Sequence, residues 1–88
     1  MERRFELLAE LVRAEDKIRR EYGTIQDIEN GISEMYEVLY SLKKDFGSNL
    51  AWTELMHDLK RIERREMLPK DISTANLLKE IIRASVPN

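Results

Sequence analysis

Glu54 and His57 stand three residues apart in TELMHDLKR, residues 53–61, a stretch that holds the chain's one histidine. Glu-x-x-His is the spacing by which helical bundles present a carboxylate and an imidazole to a pair of metal ions. At about 100° per residue, Trp52, Leu55, Met56, Leu59 and Ile62 fall in one arc, the core stripe of a helix, and Glu54 and His57 fall opposite. A bundle metal site needs its ligands directed into the core, with carboxylates converging from other helices. These two instead head a basic row, so neither a metal nor a cofactor is expected here.

That row comprises His57, Lys60, Arg61 and Arg64, with Arg65 beside it. Such a set can clamp phosphates or an acidic partner. Glu63 and Glu66 lie among the arginines and can pair with them locally. The preceding helix is acidic, with Asp27, Glu29, Glu34, Glu37 and Asp45 against Lys43 and Lys44, and is a candidate electrostatic partner within the fold or in a second copy. The expected state is a solvated or internally paired face, with nucleic-acid contact as the runner-up.

Glu15 is the other candidate for chemistry. It lies on an apolar stripe between Leu11 and Ile18, near Leu8 and Tyr22, where desolvation would raise a carboxyl pKa as a general acid requires. Arg19, one turn on, offers the plainer account of an edge salt bridge, which is the reading adopted. The serines, threonines and single histidine show no nucleophile–base pairing, and the three glycines are isolated rather than gathered in a phosphate loop. The chain is therefore expected not to be an enzyme.

Composition narrows the field further. The chain has 88 residues, 36% of them charged, with a net charge of −2. That length is one domain, burying only about 60–65% of its unfolded surface, so a partner adds much to its stability. Balanced charge argues against a protein devoted to coating nucleic acid. With no cysteine, disulfides, thiolate zinc sites and thiol nucleophiles are excluded. The opening MERRFELL lacks the apolar core of a signal peptide, Glu2 is incompatible with N-myristoylation, and no apolar run approaches the roughly 18 residues of a membrane span. An intracellular, cytoplasmic location is the default expectation.

The elements that must position these residues are all helical. Leu, Ile, Glu, Lys and Arg dominate, and no alternating pattern lasts more than a few residues. The expected fold is an all-α, small four-helix bundle with helices at about 2–22, 24–46, 49–68 and 72–85. Gly23 stops the first; Thr24 with Asp27 forms a shortened capping box for the second; Gly47 closes it. Ser48 or Asn49 caps the third, which Pro69 ends near Leu68. Asp71 or Ser73 caps the fourth, which carries LLKEII.

Asn30-Gly31 is a strong turn signal inside the second helix, so a possible break is expected at Gly31. Yet Ile25, Ile28, Ile32, Met35, Leu39, Leu42 and Phe46 step through it by threes and fours, the seam of a helix packed lengthwise on another. The same phase runs back through Leu7, Leu11, Ala14 and Ile18, interrupted at Glu21. Residues 2–46 therefore admit a hairpin turning at Gly23 or one helix of roughly 65–70 Å that would have to pair with a second chain. The stop and start signals at Gly23-Thr24 favour the hairpin.

Two resemblances bear on function. The tail LLKEIIRAS is similar to the last helix of small helical mutases of the chorismate mutase kind, but that family's cationic active-site set is not placed on this sequence. Residues 35–68 weakly resemble the last helices of death-fold interaction domains, through Ile62, Arg64 and Leu68. The likeness covers about a third of the chain and implies protein–protein association.

The second helix carries more apolar surface than one neighbour covers, with Val38 on one shoulder and Tyr36 and Tyr40 on the other, and Trp52 begins the next helix. These four either fill a bundle core or anchor an interface, where Tyr and Trp are favoured. The resulting expectation is a non-catalytic interaction module or small subunit of an assembly that self-associates through its first two helices. Its partners would be another protein or a second copy of itself, with a nucleic-acid-binding regulator as the alternative and a small helical enzyme more distant.

Overall fold

The computed structural model describes residues 2–20 and 23–86. Its elements are α1 (Glu2–Arg19), α2 (Ile25–Phe46), α3 (Leu50–Glu63), a 3₁₀ turn at Pro69–Asp71 and α4 (Ala75–Ser85), with no strand among the described residues. This is the expected all-α bundle. No described helix is long and apolar enough to cross a membrane.

The capping box at the start of α2 is present: Asp27 N–H donates to Thr24 Oγ1 at 3.1 Å and Thr24 N–H donates to Asp27 Oδ2 at 3.1 Å. Asn49 caps α3, its side chain accepting from Ala51 N–H at 2.8 Å. Two boundaries differ from expectation and a third falls partly outside the described residues. α1 is described only to Arg19, and the expected last turn at Glu21 and Tyr22 lies outside the described residues. α3 ends at Glu63, not near Leu68. Glu66 N–H donates back to the Arg61 carbonyl at 2.8 Å and Arg65 N–H to that of Ile62 at 3.0 Å, with Arg65 itself at φ 62°. That left-handed closure stops the helix before proline has any influence. The N-cap of α4 is Thr74 rather than Asp71 or Ser73; Asp71 belongs to the 3₁₀ turn, and Ser73 Oγ accepts one hydrogen bond, from Ala75 N–H at 3.2 Å.

α2 runs unbroken through Gly31, which is buried against α1. A Cβ there would lie 2.7 Å from Ile18 Cγ1 and 3.0 Å from the Ala14 carbonyl oxygen. The glycine that reads as a turn is instead a point of close approach between the two helices. Residues 2–46 thus form a hairpin and not one long rod: the molecule measures 42 × 21 × 17 Å, with a radius of gyration of 12.8 Å.

The apolar ladder builds the core. Leu11, Ala14 and Ile18 of α1 meet Met35, Leu39 and Leu42 of α2, all at most 2% exposed. Leu55, Leu59 and Ile62 of α3 and Leu77 and Ile81 of α4 close it. Trp52 joins α3 to α2, its indole N–H donating to the Leu39 carbonyl at 2.8 Å, which satisfies the ring's one polar atom inside the core. The ladder's first rung does not reach the core: Ile25 is 77% exposed.

Candidate functional site

Glu54 and His57 are both exposed on α3, on the side away from Leu55, Leu59 and Ile62. Among the described residues no group of three or more His, Cys, Asp or Glu side chains is placed to hold a metal ion. His57, Lys60 and Arg64 are exposed as well, while Arg61 is half-buried and lies 3.8 Å from Asp58. Several of the carboxylates expected to neutralise this row are engaged elsewhere. Glu63 accepts the Tyr36 hydroxyl at 2.6 Å. On α2, Glu34 pairs with Lys17 at 2.6 Å and Asp45 with Arg4 at 3.6 Å, so these two carboxylates of the acidic helix face α1.

Glu15 does not carry a raised pKa. Burial, the largest single influence, raises it, but hydrogen bonds from the Thr74 hydroxyl and backbone N–H, then the hydrogen bond and charge of Arg19, outweigh burial and hold it below the usual value. The Arg19 contact, at 3.0 Å, is the edge salt bridge that the spacing implies. A carboxylate held ionised in this way is a structural acceptor, not a proton donor.

The four residues expected to face a partner separate. Val38 and Trp52, at 3% and 8% exposure, are part of the chain's own core. Tyr36 is half-buried and stacks on Tyr40, ring centroids 6.2 Å apart at 19°. Burial first, then the Glu63 carboxylate that its hydroxyl donates to, pushes the Tyr36 pKa well up, so the phenol stays protonated and joins α2 to α3. Tyr40, 60% exposed, remains open to solvent.

The Tyr36 edge continues into a groove. One hollow of about 700 Å³, lined by Ile25, Ile32, Tyr36 and Ile62, shares Ile28 and Pro69 with a second of about 670 Å³, which reaches Ile18 and Leu68. Ile25 and Leu68 stand 77% and 57% exposed at its mouth. Its rim holds Arg19, Arg20, Arg65 and Lys70 against Glu29 and Glu63. The α2 ladder contains Ile25 and Ile28, but the opposing wall forms only where the segment after α3 folds back across α1.

A second apolar surface lies on the other side of α1. Arg4 Nη1 donates to Ser85 Oγ at 3.2 Å, and Thr74 N–H donates to Glu15 at 2.9 Å. These two links set α4 antiparallel beside α1. Helical phase puts Phe5, Leu8 and Val12 on one side of α1, and Leu78 and Ile82 on one side of α4. Phe5, Val12, Ile82 and Val86 are 62%, 50%, 51% and 57% exposed. The signal in the sequence is the breadth of the apolar arc on α1, wider than one neighbour covers.

No family model, curated protein or solved structure matches the chain.

Proposed function

We propose that the chain is a non-catalytic helical interaction module that self-associates through the outward face of α1 and α4. The observation that carries the reading is the exposure of Phe5, Val12, Ile82 and Val86, half or more each, on two helices held side by side. Single exposed apolar residues are ordinary, but four on two helices linked by Arg4–Ser85 and Glu15–Thr74 favour association. This moves the contact from the expected α2 shoulder, whose Val38 and Trp52 are already enclosed. Four exposed side chains fall short of the roughly 800 Å² per partner of a standard interface, so the dimer is a weak one.

Sedimentation equilibrium from low to high micromolar concentration tests it. The expected result is a mass rising from the 10.4 kDa of one chain towards twice that. Phe5→Lys with Ile82→Lys should hold the monomer mass throughout. A monomer mass for the unaltered protein at the highest concentration refutes the proposal.

A nucleic-acid reading keeps one specific support. Lys60, Arg64, Arg65 and Lys70 make no ion pair among the described residues, and they gather at the α3 end of the molecule. Titrating duplex DNA against salt separates the two readings. A phosphate binder weakens steeply and linearly on a log–log plot, whereas dimerisation through apolar side chains does not.

A further inference from the structure

We infer that α4 is a strap that opens as a unit from the body built by α1, α2 and α3, and that its closing completes the self-association face. The coupling to that face rests on the self-association reading; the opening itself does not.

Three side-chain links fasten the strap. At its start the Thr74 N–H and hydroxyl both donate to one oxygen of the Glu15 carboxylate. In its middle Asn49 Nδ2 donates to Glu80 Oε1 at 3.3 Å, and at its end Arg4 Nη1 donates to Ser85 Oγ at 3.2 Å. Each of the three groups on the body has a second partner that does not leave with α4. Glu15 holds Arg19 at 3.0 Å through its other oxygen. Arg4 lies 3.6 Å from Asp45 and stands over the Phe46 ring, 5.6 Å from its centroid. Asn49 Oδ1 caps α3 through Ala51 N–H at 2.8 Å. When the strap opens, Thr74, Glu80 and Ser85 pass into water, and no charge is left unpaired on the body. A stranded charge is what makes breaking a partly buried pair costly, and here that cost is absent.

The apolar hold on the strap is small beside that on its neighbours. Within α4 only Leu77 and Ile81 are buried, with Ile72 just ahead of it, while Ile82 and Val86 stay 51% and 57% exposed. α2 buries Met35, Val38, Leu39, Leu42 and Phe46 and meets α1 closely at Gly31. Local opening begins where the fewest buried contacts are lost, which is α4. Its 11 residues do not hold a helix alone in water, so the open strap exposes its amides. Opening also separates Ile82 and Val86 from Phe5 and Val12, so it dismantles the face proposed for self-association. Closing and association therefore favour one another, by the reciprocity of linked equilibria.

The test is amide hydrogen exchange of the full chain, followed by mass spectrometry at low and high micromolar protein and corrected for intrinsic rates. At low concentration, residues 75–85 should exchange at least about tenfold faster than residues 35–42 of α2. Glu15→Gln, and separately Thr74→Val, should speed exchange in α4 severalfold and leave α2 unchanged. Raising the concentration should slow exchange in α4, and Phe5→Lys with Ile82→Lys should remove that slowing. Equal protection of α4 and α2, or a rise of the same factor in both on Glu15→Gln, means that α4 opens only with the whole molecule and overturns the inference. Dimer mass in sedimentation with no slowing of exchange in α4 overturns the coupling to the face. Monomer mass at every concentration, with α4 still exchanging first, refutes self-association and supports the strap, so the two proposals fail separately.

Discussion

The carboxylate of Glu15, in the body of α1, accepts both the backbone N–H and the hydroxyl of Thr74, the residue that begins α4. Its other oxygen takes Arg19 at 3.0 Å. Thr74 makes no side-chain cap bond to its own helix. A carboxylate from a neighbouring helix thus satisfies an N-terminal donor and places negative charge at the positive end of α4. At 11 residues α4 is too short to be stable by itself, so its order depends on contacts of this kind and on the burial of Leu77 and Ile81.

Replacing Glu15 by Gln should cost about 1–2 kcal/mol at neutral pH, as a charge-assisted pair becomes a neutral one. Since the folded pKa of Glu15 lies below its unfolded value, the stabilisation is complete above the unfolded value of about 4.3 and is lost as pH falls through the folded pKa. Urea unfolding of both proteins at a series of pH values checks this. The two curves should converge in acid, and equal stability at pH 7 would show that the link contributes nothing.

Gly31→Ala should destabilise in spite of alanine's better helix propensity of about 1 kcal/mol. The new Cβ meets Ile18 Cγ1 at 2.7 Å, and relieving that contact moves α1 off α2 at a cost of about 1–3 kcal/mol. Thermal unfolding followed by circular dichroism reads the sign directly. A higher midpoint for the variant would mean that the closeness of the helices there contributes nothing.

Arg65→Gly should have the opposite effect. A non-glycine residue in the left-handed region costs about 1 kcal/mol, and glycine removes that cost at the expense of a more flexible unfolded chain. The net expectation is a gain of about 0.5 kcal/mol in urea unfolding, and a loss of stability would show that the left-handed position of Arg65 carries no strain.

Leu59 and Arg61 stand two residues apart on α3 but belong to different environments. Leu59 is fully enclosed, so Leu59→Ala should cost about 2–4 kcal/mol. Arg61 has 42% of its side chain exposed and a long contact to Asp58, so Arg61→Ala should change stability by no more than about 0.5 kcal/mol. Comparable losses in chemical denaturation would put the core stripe of α3 out of phase.

What was legible in the sequence is what lies within one helix. The Thr24–Asp27 capping box, the Asn49 cap and the burial of Leu11, Ile18, Leu39 and Leu59 follow from residues a few positions apart, because helical hydrogen bonding and the 3.6-residue repeat act over that range. The outward position of Glu54 and His57 follows from the same repeat. Tertiary structure decided the rest. The ladder from Leu7 to Phe46 has one phase whether the chain turns at Gly23 or continues, so periodicity could not choose the hairpin. Asn30-Gly31 carries the same turn chemistry in either case, and only the approach of Ile18 and Ala14 makes Gly31 a packing residue. Glu15 and Thr74 are 59 positions apart, and the groove forms from α1, α2 and the segment after α3 together. Such contacts depend on distances between helix axes, and those distances are set by which side chains enclose one another once every helix has packed.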